Sequence, residues 1–258
     1  MMQASLTEEQ WGLLKQYRFH RGVPAASDGI NASELLDEQR MLSYLKDRIS
    51  MMGASDLKTA ASLLMKRYAF VAAMGMLAAT FWNRKLNLSP ENLVLVDYVN
   101  DKGLWLPQFY LKDSTVKEFT SWSEKEEFMV ALFSKHLDKI IGVIKRSVKL
   151  SNLILWENIA VYLFWIYEND AFVTDECMLD KKKSDFAQLL NAENSHWFGS
   201  YNQNPLSRYY TEKVKVEGLE DEIRVRKTCC FSYQLENGEQ FRCKSCPQTC
   251  RVKRLTSI

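Results

Sequence analysis

The chain has 258 residues, 47% of them apolar, which is length and hydrophobic content enough for a packed core and excludes a disordered chain. Its 34 basic and 32 acidic residues leave a net charge of +2, too little for a global field that would gather nucleic acid or an anionic membrane. What charge there is must act locally.

The segment Met1–Gln10 is polar and acidic, without the cationic and apolar regions of a secretory signal, so a cytoplasmic protein is expected. Thr7 and Gln10 have capping-box spacing, in which each side chain satisfies a free backbone N–H of the first turn, and a helix is predicted to begin near residue 8. Apolar residues at three- and four-residue intervals predict further helices over Ser33–Ser50 and Ser55–Trp82. Asn92–Tyr98 and Leu104–Leu111 are rich in Val, Leu, Tyr and Trp and flank the turn Asn100-Asp101-Lys102-Gly103, which predicts a β-hairpin inserted in the helical body. Ser123 and Glu126 repeat the capping spacing and predict a helix from about residue 124, and two more are predicted over Asn152–Glu168 and Asp175–Asn191.

Two apolar stretches, Tyr68–Trp82 and Leu153–Tyr167, are each about 15 residues long against the ~20 that a bilayer requires. Both are therefore read as buried helices, and no membrane span is expected. Trp197, Tyr201 and Tyr209 crowd the end of the body, where aromatic density of this kind signals packing before ligand binding. Beyond Pro205 the pattern changes. Glu212–Glu217 and Glu222–Lys227 alternate charged and β-branched residues around Gly218. The expected fold is thus α+β: a predominantly α-helical body over residues 1–204 with a β-hairpin insertion, and a small C-terminal β module over residues 205–258 carrying a four-cysteine metal site.

Of six cysteines, five fall after position 228. In a reducing compartment such a cluster reads as a metal or redox site before it reads as disulfides, and the isolated Cys177 reads as an inert buried residue. Cys229-Cys230 is separated by twelve residues from Cys243-x-x-Cys246-Pro247, with Cys250 just beyond. Asn237-Gly238 lies in the spacer and is a strong type I′ hairpin signal; a two-residue loop there would place Cys229 opposite Cys246. Opposed β carbons ~4.5–5.5 Å apart are compatible with two thiolates on one metal. Because adjacent residues of a regular strand face opposite ways, a bend is predicted at Cys229-Cys230 so that both sulfurs converge.

A site of four thiolates, Cys229, Cys230, Cys243 and Cys246, suits zinc and an iron–sulfur cluster alike. The adjacent cysteine pair departs from the two CxxC knuckles of a zinc ribbon, and the absence of histidine from the tail argues against a Rieske-type site. From Glu222 onward there are eight basic residues against three acidic ones, cations that would favour the reduced form of a cluster and attract an anionic substrate. Arg242 and Lys244 lie nearest the knuckle and are the candidate substrate contacts. One alternative is a zinc-stabilised module whose basic strip contacts nucleic acid.

Phe198-Gly199, Asn204-Pro205-Leu206, Arg226-x-Thr228-Cys229-Cys230 and Cys243-x-x-Cys246-Pro247 together resemble the tail of the FhuF-like ferric siderophore reductases, over about the last sixty residues. The resemblance implies a 2Fe-2S protein of the bacterial cytoplasm, with the cluster held by Cys229, Cys230, Cys243 and Cys246, that passes one electron to iron(III) in a hydroxamate- or citrate-type siderophore. The twelve-residue spacer is longer than the family's pattern, and Cys250 stands close enough to replace one ligand. No GxGxxG or phosphate-binding loop is present, so the electron is expected from an external ferredoxin or flavoprotein. GxSxG and HExxH are absent too, which disfavours a hydrolase. A monomer is the simplest expectation, with neither nucleic acid nor membrane as partner. A 2Fe-2S electron carrier without siderophore activity is the remaining alternative.

Overall fold

The structure is a computed structural model of the chain and describes residues 5–25, 27–236, 238 and 242–250. Helices dominate, and the α+β class is as expected. α1 (Glu8–Gln16) begins where predicted, with the Thr7–Gln10 capping box closed in both directions. The predicted Ser33–Ser50 helix is split: Glu34–Leu36 is a single 3-10 turn, and α2 (Glu38–Arg48) starts afresh because the Asp37 carboxylate accepts from the Arg40 N–H at 2.9 Å.

α3 (Leu57–Phe81) and α6 (Asn152–Glu168) form the centre. α3 is held at its start by Asp56, which accepts from the N–H groups of Lys58 and Thr59. Its sequence is apolar on almost every side and rich in alanine, so it is buried nearly all round and lets neighbouring helices approach closely. It is long and apolar enough to cross a membrane, yet 83% of its most apolar window is buried inside the protein, as the reading of Tyr68–Trp82 as a core helix requires. α6 runs alongside it in the same sense. Ser62 meets Asn158, Phe70 packs against Tyr162, and Thr80 bonds Tyr167 at 2.8 Å.

The predicted hairpin is present. β4 (Leu93–Val96) pairs antiparallel with β5 (Gln108–Leu111), and Gly103, at φ +71°, supplies the left-handed residue of the connecting turn. Two strands outside that expectation complete the sheet in the order β1-β5-β4-β2: β1 (Phe19–Arg21) parallel to β5, and β2 (Ile30–Asn31) antiparallel to β4. A separate ribbon pairs β3 (Arg84–Leu86) with β6 (Val116–Glu118).

α4 (Trp122–Leu132) starts two residues before the predicted place. Ser121 caps it and Glu124 reaches back to the Thr120 N–H at 2.8 Å, which leaves Glu126 free to accept from the Trp197 indole at 3.1 Å. A π-turn, Phe133–Leu137, leads into α5 (Asp138–Val148), and α7 (Glu176–Leu190) packs outside α3 and α6 with its ends at the predicted positions. Cys177 is exposed in the first turn of α7, not buried as its apolar character suggested, because that turn faces solvent. Trp197 and Tyr209 are core residues, as their density implied. Beyond Pro205 the expected β module is reduced, among the described residues, to isolated antiparallel bridges, Val214 with Ile223 and Leu235 with Ala54 of the body.

His136, in the π-turn, ties the helical core to the loop before β4. Its Nδ1 donates to the Leu88 carbonyl at 2.7 Å, so Nε2 carries the lone pair that accepts from the Tyr68 hydroxyl at 2.5 Å. Burial pushes its pKa down to about 4. A folded-state value below the unfolded one means that the unfolded chain takes up a proton first, so stability is full above pH ~6.5 and declines as pH falls towards 4. The His136 ring should therefore remain neutral at pH 5.5 by NMR while urea unfolding shifts to lower midpoint between pH 7 and 5; a charged ring at pH 6 would contradict this role.

Candidate metal centre

The site begins on α6, where the apolar run is broken by Glu157 and Asn158, both buried. A buried carboxylate needs donors, and here the tail supplies them. Glu157 accepts from the Lys227 N–H at 2.6 Å, the Thr228 N–H at 2.7 Å and the Thr228 hydroxyl, with the Arg226 guanidinium 3.6 Å away. Asn158 accepts from Arg226 Nη2 at 2.7 Å and donates to the Ser62 carbonyl at 3.1 Å. Ser62 in turn donates to the Cys230 carbonyl at 2.9 Å. Two neighbouring helices thus grip the backbone on both sides of the cysteine pair.

The chain bends at Lys227 and Thr228, and Phe231, at φ +59°, takes the left-handed conformation, at a cost of about 1–2 kcal/mol for a non-glycine residue. The bend expected at Cys229-Cys230 is therefore built on its flanks, and the Phe231 N–H turns back to the Cys229 sulfur at 3.4 Å. The strand expected after the pair does not form. Ser232–Gln234 is a 3-10 turn instead, fastened to α3 by Lys66 on Ser232 at 3.1 Å and Thr59 on Gln234 at 2.7 Å. Asn237 and Phe241 lie outside the described residues. Glycine is required at Gly238 because a β carbon would lie 2.6 Å from the carbonyl oxygens of Ser232 and Tyr233.

The two cysteine pairs meet by another route. The Arg226 N–H donates to the Ser245 carbonyl at 2.9 Å, and the Cys243–Cys246 knuckle is closed by the Cys246 N–H on the Cys243 carbonyl at 3.0 Å. The knuckle thus meets Arg226 rather than Cys229. Cys230 and Cys246 are buried, while Cys229 and Cys243 are half-buried. Cys250 lies one turn further on, its thiol donating to the Lys244 carbonyl at 3.0 Å.

Cys230 has its pKa pushed down to about 4, first by the hydrogen bond from the Cys243 thiol, then by Lys66, Arg226 and the Ser232 hydroxyl acting against burial. Cys243 is raised by the same hydrogen bond and by burial. Their hydrogen bond thus favours ionisation of Cys230 over that of Cys243. Burial raises Cys229, and the Phe231 N–H offsets part of it. Burial also opposes ionisation of Cys246, but the N–H groups of Gln248 and Thr249 and the Thr249 hydroxyl outweigh it. Among the described residues no three His, Cys, Asp or Glu side chains stand together in a ready metal-ligating group. The four sulfurs nevertheless share one neighbourhood, with cations and N–H donors directed at them. That donor chemistry fits an all-thiolate cluster.

Residues 62–215 match the family described as ferric iron reductase FhuF-like transporter, more than half of the chain. This chain belongs to that FhuF-like family. Residues 226–248, which hold the two cysteine pairs, match the FhuF 2Fe-2S C-terminal domain, so the cofactor is a 2Fe-2S cluster and zinc is set aside. No curated protein matches the chain. Among the resembling motifs, Phe198-Gly199 and Asn204-Pro205-Leu206 prove to be structural. Phe198 is fully buried against Phe133 and Trp156, Gly199 allows Asp138 to approach, and Asn204 ties the carbonyls of Leu189 and Asn191 to the Leu206 N–H.

Ser62, Lys66, Glu157 and Asn158 were not anticipated as parts of the centre. The signal for the last two was present: an acid and an amide inside an otherwise apolar helix. Glu157→Gln should leave at least one donor unmatched and lower stability by about 3–5 kcal/mol, since it breaks a buried charge network. Iron and acid-labile sulfide per chain should fall with it. Full cluster content at unchanged urea midpoint would show that the carboxylate does not organise the tail.

Proposed function

We propose that the chain reduces siderophore-bound iron(III) by one electron in the cytoplasm, with Cys229, Cys230, Cys243 and Cys246 holding the 2Fe-2S cluster that supplies the redox centre. The carrying observation is that Glu157, Ser62 and Asn158 fix the cysteine segment while Lys66, Arg226 and the Ser232 hydroxyl gather on Cys230. The family match supports iron reduction.

The electron balance is simple. A ferredoxin or flavoprotein gives up one electron, and iron(III) in the complex becomes iron(II). Hard hydroxamate and carboxylate oxygens hold iron(III) far better than the softer iron(II), so the metal is released without any bond to the protein being made. Lys66 and Arg226 oppose the negative charge of four thiolates and favour the added electron. Arg242 and Lys244 are exposed on either side of Cys243, and Arg242 lies over the Tyr233 ring, 5.2 Å from its centroid. They attract an anionic complex to the knuckle.

Cys229→Ser and Cys246→Ser should each lose the visible absorption and ferric reductase activity together, whereas Cys250→Ser should keep both; a coloured Cys246→Ser or a bleached Cys250→Ser would move the fourth ligand to Cys250. Glutamate at positions 242 and 244 should slow reoxidation of the reduced protein by ferric citrate several-fold and leave its reduction by dithionite unchanged. Equal slowing of both would remove the two residues from substrate attraction. If reduced protein were reoxidised by neither ferric hydroxamate nor ferric citrate, it would be an electron carrier instead.

A further inference from the structure

Arg18, between α1 and β1, and Arg67, on α3, are half-buried neighbours. Nε and Nη2 of Arg18 and Nε of Arg67 are buried without a hydrogen-bond partner among the described residues. Buried guanidinium donors are normally matched, and two cations placed together without an anion repel one another. Burial, followed by the charge of Arg67, pushes the Arg18 pKa down to about 10. Arg18 also sits at φ +66°, a left-handed conformation that is strained for a non-glycine residue. The fold therefore holds two arginines together against sterics and charge alike.

Aromatic rings surround them. Arg18 lies over Phe70, 4.4 Å from its centroid, and Arg67 lies beside Tyr162. Phe70 stacks against Tyr17 and packs tilted against Tyr162, and Tyr17 meets the edge of Trp165. All four rings are only partly buried, so the patch is a surface and not a piece of sealed core. Arg67 follows Lys66, which bonds Ser232 beside Cys230. The cations across α6 differ. Around a cavity of about 470 Å³ there, Arg224 and Lys213 are both committed to Glu168, and Arg226 to Asn158 and Glu157.

We propose that Arg18 and Arg67 form a carboxylate-binding site for an anionic, citrate-type iron(III) complex, seated against the Tyr17, Phe70, Tyr162 and Trp165 rings and beside the cysteine centre. The proposal rests on the reductase reading and deepens it, assigning the substrate class that this face selects. Guanidinium groups present planar forks that match carboxylates, and a bound anion would neutralise both unpaired cations at once. A neutral tris-hydroxamate complex gains nothing from the pair.

The test is calorimetric titration of the cluster-loaded protein with gallium(III) citrate, which keeps the charge of the iron(III) complex but cannot be reduced. Arg18→Gln and Arg67→Gln should each weaken binding at least tenfold, with binding of a neutral gallium(III) tris-hydroxamate changed less than twofold. Arg18→Lys and Arg67→Lys keep the charge and lose the fork, so they carry the test if a glutamine variant fails to fold. They should weaken gallium(III) citrate binding several-fold. Unchanged gallium(III) citrate binding in the folded variants, equal weakening of both complexes, or displacement of gallium(III) citrate by equimolar inorganic phosphate would each overturn the proposal. Arginine-dependent binding in a protein whose reduced form no iron(III) complex reoxidises would keep the site and overturn the reductase reading alone.

Discussion

A carboxylate buried in a helix is the constraint on which the cysteine centre depends. Glu157 cannot remain charged inside an apolar bundle without donors, and nothing on α6 itself supplies them. Lys227 and Thr228 do so through their backbone N–H groups, and these are the two residues immediately before the cysteine pair. Satisfying one buried charge therefore sets where the cysteine pair lies on the helical body. The tail has little regular structure to position it otherwise, since its described part contains isolated β-bridges, Val214 with Ile223 and Leu235 with Ala54, and short 3-10 turns. Its order is borrowed from α3 and α6.

That borrowing also decides the electrostatics. Lys66 reaches Cys230 from α3 by way of Ser232, and Arg226 is held by Asn158 and Glu157 within reach of the same thiols. The cations near the sulfurs are thus fixed by helices, while Arg242 and Lys244 on the knuckle are exposed. Fixed charge lowers the cost of gathering thiolates and of adding an electron to them, because it needs no reorganisation when that charge appears. Exposed charge acts at longer range and is screened by salt. The fixed set suits holding the redox centre, and the exposed set suits the attraction of an anionic complex proposed for it.

Much of this was legible in the residue order. Helix ends announced by short polar caps, such as Thr7 with Gln10 and Asp175 with Asn191, fall where expected, because capping is a local interaction that needs no partner from elsewhere in the chain. Where two caps compete, local reading slips: Asp37 divides one helix, and Ser121 outbids Ser123 two residues earlier. The β4–β5 hairpin was readable for the same local reason, but the parallel addition of β1 to β5 joins residues some ninety positions apart and leaves no mark in either strand. In the tail the alternation around Gly218 and the Asn237-Gly238 turn suggested strands, yet Lys66 and Thr59 hold Ser232–Gln234 as a 3-10 turn against α3. Tertiary contacts overrode local preference.

The cysteines were readable as a metal site because their number and spacing are themselves the chemistry, whereas their supporting residues were not, because each is ordinary until its partner is known. Glu157 was visible only as an impurity in an apolar run, Ser62 as one small residue in an alanine-rich helix, and Arg67 as one of two cations in the middle of it. All three make sense once α3 and α6 run side by side, since that packing sends Glu157 and Ser62 to the cysteine segment and leaves Arg67 facing Tyr162. The same helix pair therefore ties the metal centre to the arginine patch. Any shift of α3 against α6 moves Lys66 and Arg67 together, and the distance between the cysteine centre and an anion on that patch is set by two consecutive residues of a rigid helix.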